Sequence, residues 1–106
     1  MIPLYNYMEK NNMIDIVLDG SLMIDKENAH NYIREKLKVA QYTGSNLDAL
    51  WDVLSVCDLN LNITIINHNE IIKLLGEYGE SLLETFLDAA IENSKIKVNI
   101  GEVLSF

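Results

Sequence analysis

A chain of 106 residues, 49% hydrophobic and 23% charged, has the composition of one globular domain that can bury a core without disulfides or metals, which excludes a disordered or fibrous protein. Its formal net charge of −8 argues against nucleic acid as a direct ligand, because a polyanion is held by Lys and Arg. The lone Cys57 cannot close an internal disulfide, which suits a reducing cytoplasm; following Val56 among apolar residues, it is expected as a buried, inert side chain.

Residues 1–12 show no period, only Pro3, two tyrosines and Asn11-Asn12. They read as an N-terminal extension, either a tail or an added edge. They lack the basic start and apolar run of a secretory signal. No stretch of the chain approaches the roughly 18 apolar residues of a membrane span. A soluble, cytoplasmic protein is expected.

Met13 to Leu18 is a short apolar run interrupted by Asp15, and Asp19-Gly20 ends it with turn chemistry, so a strand is predicted. Asp25 is a candidate N-cap for an amphipathic helix, with Ala29, Tyr32, Ile33 and Leu37 on one side and Lys26, Glu27, Arg34, Glu35 and Lys36 largely elsewhere. His30 lies within it and is expected to make a structural hydrogen bond instead of serving as a ligand.

The stretch from Tyr42 to Leu54, YTGSNLDALWDVL, follows. Gly44 marks a turn, and either Ser45 or Asn46 can cap the next helix through its side-chain oxygen. With Ser45 as cap, Asp48 three residues on would complete a variant capping box. Leu47, Leu50, Trp51 and Leu54 recur at i, i+3, i+4, i+7 and line one face. Asp48 and Asp52 are one turn apart on another face, with Trp51 beside them.

Leu59 to Asn67 alternates Leu59, Leu61, Ile63 and Ile65 with polar residues and reads as a strand. Asn67-His68-Asn69 starts a helix through Ile71, Ile72, Leu74 and Leu75, stopped by Gly76; His68 belongs to the turn or cap. Gly79 precedes the longest helix, about Glu80 to Asn93, on which Glu80, Glu84, Asp88 and Glu92 form an acidic stripe. Like charges at this spacing repel, so a stripe without interleaved Lys suggests a binding role. Lys95 to Ile100 closes the pattern as a strand. The order strand, helix, helix, strand, helix, helix, strand favours parallel pairing. An α/β fold is predicted, a three-stranded parallel sheet flanked by about four helices.

Residues 39–94 hold nine acids against the single base Lys73, which accounts for the whole charge of −8; the other seven acids and seven bases cancel. Such a field can steer a basic partner into place. No nucleophile motif, phosphate-binding glycine loop or His-Glu-x-x-His occurs. Two histidines and one cysteine make no zinc site by spacing. No catalytic residue, metal or cofactor is assigned. The strongest enzyme alternative is metal-dependent phosphoryl transfer with Mg²⁺ on Asp48 and Asp52, although no cation lies near them in sequence to hold a phosphate. The other reading needs no chemistry: carboxylates fixed on a helix can fill the cationic site of an enzyme that acts on a polyanion, with little entropy lost on docking.

The segment Gly44 to Asp52, which reads G-x-N-L-D-A-L-W-D, closely resembles the corresponding segment of the barstar family of intracellular ribonuclease inhibitors. The similarity continues at lower identity over about residues 13–100, leaving 1–12 as an addition to a single domain spanning 1–106. The resemblance implies a small parallel sheet flanked by helices, monomeric when free. It implies a noncovalent 1:1 complex in which the helix and its preceding loop plug the active site of a basic, barnase-type toxin or extracellular ribonuclease, in the manner of an immunity protein. Carried over residue by residue, Asp52 would enter the phosphate site and Asp48 would pair with a neighbouring Arg or Lys. Tyr42 would stack on an active-site side chain, Gly44 would allow close approach, and Trp51 would support the flank. Asn46 lies in the same motif. Asp88 stands where the family has an acid on the last helix, Thr43 where it has a second aromatic, and Ser45 where it has a glutamate. These departures bear on which partner is bound, a basic toxin other than a ribonuclease included.

Overall fold

The computed structural model describes residues 13–101; the expected N-terminal extension lies outside them. Three strands, β1 (Ile14–Asp19), β2 (Leu61–Ile66) and β3 (Ile96–Ile100), form a parallel sheet in the order β1-β2-β3. Four α-helices connect them: α1 (Lys26–Lys36), α2 (Leu47–Ser55), α3 (His68–Leu75) and α4 (Glu77–Glu92). Single 3-10 turns at Gly20–Leu22 and Lys38–Ala40 complete the crossovers. This is the α/β architecture expected from the alternating and helical periods.

Period-2 patterning decides which face of the sheet is covered. Ile16 pairs with Ile63 and Ile63 with Val98, while Leu18 pairs with Ile65 and Ile65 with Ile100. The buried members, Ile16, Leu18, Leu61, Ile63, Ile65 and Ile96, share one core with Ile33, Leu37, Leu50, Leu54, Ile71, Leu82 and Phe86 from the helices. On the opposite face the side-chain amide of Asn62 donates to Asp15 at 2.9 Å, and that of Asn99 donates to Asn62 at 2.8 Å. A polar ladder thus crosses all three strands.

Local signals set the helix ends. The backbone N–H of Asn28 donates to the Asp25 carboxylate at 2.8 Å, as an N-cap requires, and Arg34 and Lys36 lie at the opposite, electronegative end. The longest helix departs from expectation. It begins at Glu77, so Gly79 lies inside its first turn and does not precede it. The reason is tertiary: a Cβ at Gly79 would sit 2.5 Å from the Ile71 carbonyl oxygen, because α3 and α4 pack closely there. β2 likewise begins at Leu61, two residues later than the pattern suggests, and Leu59 is exposed. His68 is the first residue of α3. Among the described residues no helix is long and apolar enough to cross a membrane.

Candidate functional site: the loop before α2 and its acidic face

The loop between α1 and α2 is irregular, and several of its polar groups are held by side chains of α1 or by Tyr42. Gln41 takes a left-handed conformation (φ 61°) and turns the chain out of the preceding 3-10 turn. Tyr42 then points inward and is only 2% exposed. Its hydroxyl hydrogen-bonds His30 Nδ1 at 2.8 Å and donates weakly to the Asn46 carbonyl at 3.4 Å. On the other side of the imidazole, Nε2 meets the Tyr78 hydroxyl of α4 at 2.6 Å. A neutral ring with its proton on Nδ1 satisfies all three groups.

His30 is 2% exposed, and burial first, then the Arg34 charge, holds its pKa below the ordinary 6.5. Burial is also the main cause that pushes the Tyr42 phenol up to about 12 and raises that of Tyr78. The structural hydrogen bond expected of His30 is therefore double, joining two tyrosines far apart in sequence. Tyr42 differs from its expected part. With its ring buried it supports the loop from beneath, and in this conformation it offers no face on which a partner could stack.

Gly44 lies against that ring. A Cβ there would be 2.4 Å from Ala49 Cβ and 3.1 Å from the Tyr42 ring, so only glycine lets the loop lie this close to α2. Arg34 grips the loop from α1. Its Nη1 donates to the Gly44 carbonyl at 2.6 Å and to Ser45 Oγ at 2.8 Å, and its Nη2 donates to the side-chain oxygen of Asn31. Of the two candidate caps, Asn46 is the one used: its side-chain oxygen accepts from the Ala49 N–H at 2.8 Å. Ser45 is engaged by Arg34, so the Ser45–Asp48 capping box does not form. Asp48 instead lies in the first turn, where a carboxylate suits the positive helix end.

Leu50 and Leu54 anchor α2 in the core, and this fixes what the other faces show. Asp48 and Asp52 are both exposed, one turn apart. Among the described residues neither carboxylate has a hydrogen-bonding or ion-pairing partner. Trp51 is 36% exposed, half packed and half open. Thr43, Ser45 and Asn46 are exposed beside them. Asp88 is exposed on α4, which packs along α2, but no hydrogen bond joins it to the loop or to α2. One contiguous loop-and-helix unit thus carries every expected site residue except Asp88.

Two other features lie nearby. A cavity of about 240 Å³ is lined by Lys26, Glu27, His30, Arg34, Ser45 and Tyr78. A wider, mostly apolar groove lies beside Val39, Val53, Val56 and Leu59. Cys57 lines that groove and is half-buried, not fully buried as expected. Among the described residues no three His, Cys, Asp or Glu side chains are placed to hold a metal, so no third side chain of these types joins Asp48 and Asp52. Arg34 and Tyr78 join the loop only through the fold. The spacing of Lys26, His30 and Arg34 at i, i+4, i+8 was the available signal, since it sets all three on one face of α1.

Comparison with known proteins supplies a family. The family model described as Barstar (barnase inhibitor) matches residues 13–102. A Bacillus subtilis protein named "Putative ribonuclease inhibitor YrdF" is 36% identical over 81 residues, covering 76% of this chain and 89% of that protein.

Proposed function

The chain belongs to the barstar family, and from that premise we propose that it is a ribonuclease inhibitor that works by covering the active site of a basic enzyme. The observation that carries this reading is the pair Asp48 and Asp52, exposed, unpaired among the described residues and fixed on a capped helix. Asp52 takes the place of a substrate phosphate in the enzyme, and Asp48 pairs with an adjacent Arg or Lys. Gly44 lets the loop backbone approach closely, Thr43, Ser45 and Asn46 form the rim, Trp51 covers the flank, and Asp88 reaches the partner from α4.

Inhibition is competitive, noncovalent and one to one, and the protein supplies no catalytic group. The acidic half of the chain speeds encounter with a cationic partner. Such a partner is a barnase-type ribonuclease, and the inhibitor acts as its immunity protein in the cytoplasm, where Cys57 stays reduced. Thr43, Ser45 and Asp88 set which ribonuclease is bound, Asp88 through a reach one methylene shorter than the glutamate of the resemblance.

The test is a titration of the protein into a barnase-type ribonuclease, following RNA cleavage, with Asp52→Ala in parallel. Stoichiometric inhibition is expected from the natural chain. Breaking one side of a buried charge pair costs about 3–5 kcal/mol, so the variant should bind at least about a hundredfold more weakly. Equal inhibition by the variant would remove Asp52 from the site. No inhibition by either would turn attention to a different basic toxin.

A further inference from the structure

The carboxylates of α2 are rigid because a helix carries them, but the loop that meets a partner beside them has no ladder of its own. It is held from α1. Arg34 donates to the Gly44 carbonyl and to Ser45 Oγ, at 2.6 and 2.8 Å, and His30 reaches Asn46 through the Tyr42 hydroxyl. We infer that Arg34 is the positioning residue of the partner-binding face, fixing Gly44 and Ser45 so that Asn46 caps α2 and the loop meets the partner already in shape; this inference rests on the inhibitor reading above.

The chemistry of the contacts supports it. An arginine beside a face that attracts cations works against that attraction. Among the described residues Arg34 has no carboxylate partner, and its acceptors on Gly44, Ser45 and Asn31 are all neutral oxygens. What they use is the planar fork, which meets several acceptors at once; a lysine would bring a single point of donors to the same place. The second support, through His30 and Tyr42, is buried and anchored to α4 by Tyr78, so the loop is held at Tyr42 as well as at Gly44 and Ser45. A loop ordered in advance loses less entropy on docking, and the gain appears in how long the complex lasts.

The experiment uses two variants of the full chain and a barnase-type ribonuclease as probe. Arg34→Lys keeps the charge and loses the fork; Arg34→Met loses both and keeps the stem. Backbone order parameters are measured by ¹⁵N relaxation in the free proteins, and association and dissociation rates are measured with the ribonuclease. Expected in both variants is a fall in order at Thr43, Gly44 and Ser45, from about 0.85 toward about 0.6, with Leu50 to Leu54 unchanged. Dissociation should quicken about tenfold in both, the equivalent of one hydrogen bond to a charged group. Association should be unchanged in Arg34→Lys. Unchanged order parameters in both variants would overturn the inference. So would a rate effect confined to Arg34→Met and seen as faster association, which would make Arg34 only a charge in the field. If the natural chain does not bind the ribonuclease, the barnase-type partner of the proposed function fails, and the order parameters alone decide whether Arg34 positions the loop.

Discussion

Replacing Gly44 by alanine sets two effects of opposite sign against each other, and the structure decides between them. The added Cβ would lie 2.4 Å from Ala49 Cβ and 3.1 Å from the Tyr42 ring. Carbon atoms pack at about 3.5–4.0 Å, so the overlap with Ala49 exceeds about 1 Å. Ala49 Cβ is fixed to the backbone of α2. The Tyr42 ring cannot swing away, because it is buried and its hydroxyl is tied to His30. The loop must therefore lift off the helix, and overpacking of this kind costs about 1–3 kcal/mol. Against it stands the stiffer unfolded chain, worth about 0.4–1 kcal/mol for Gly→Ala. With an overlap this large the upper half of that cost applies, about 2–3 kcal/mol, so a net loss of about 1–2.6 kcal/mol is expected, read in urea as a lower midpoint with an unchanged m value. Ala49→Gly removes the obstructing methyl and by itself costs about 1 kcal/mol of helix propensity. In the double variant the larger clash is gone and only the 3.1 Å approach to the Tyr42 ring remains, so the pair should be more stable than the sum of its parts by about 1 kcal/mol. Natural stability in Gly44→Ala, or an additive double variant, would refute the close approach of loop and helix.

His30 makes stability depend on pH in a set direction. Its folded pKa is depressed by burial first and by Arg34 second, so as pH falls the unfolded chain takes up the proton first. Its contribution is therefore complete above about pH 6.5 and is lost as pH falls from there through the folded-state value, with a slope of at most about 1.4 kcal/mol per pH unit. His30→Gln should flatten urea midpoints between about pH 7.5 and 5.5, and an unaltered slope would assign the effect to another group. Asn46→Ala should cost about 1 kcal/mol as a lost N-cap, whereas Ser45→Ala should cost less because it removes only one exposed partner of Arg34. Thermal unfolding in which Ser45→Ala is the more damaging would reverse the cap assignment.

The sheet was legible because Leu61, Ile63 and Ile65 alternate with polar residues, and helices between strands leave little choice but parallel pairing. Asp25 and Asn46 were legible as caps because capping is local, yet Ser45 and Asn46 are equally good chemically. Only the position of Arg34, on another helix, separates them. Gly79 reads as a helix breaker in sequence. Its reason is the α3 backbone crossing against it, and no local pattern carries that information. Tyr42 reads as an interface aromatic, but its inward turn depends on His30 and Tyr78, residues 12 and 36 positions away. That Asp48 and Asp52 share an exposed face was legible from spacing, because one helix presents both.

The row of Asp15, Asn62 and Asn99 on the uncovered face of the sheet bears on how the chain avoids misfolding. Sliding β2 by one residue would turn Asn62 and Thr64 into the core, and hydrophobicity alone forbids it. Sliding it by two restores the alternation, so greasy side chains cannot tell that frame from the correct one. The amide ladder can. In the native frame Asn62 faces Asp15 directly and receives the Asn99 amide from the diagonal, whereas a shift by two brings up either Thr64, which has no amide, or Asn60, whose amide serves only if the strand is extended beyond its native start at Leu61. Strands that meet only after long helical crossovers are the ones most exposed to such errors. Two side-chain hydrogen bonds on the solvent side thus act as a reading-frame check for a core that cannot check itself.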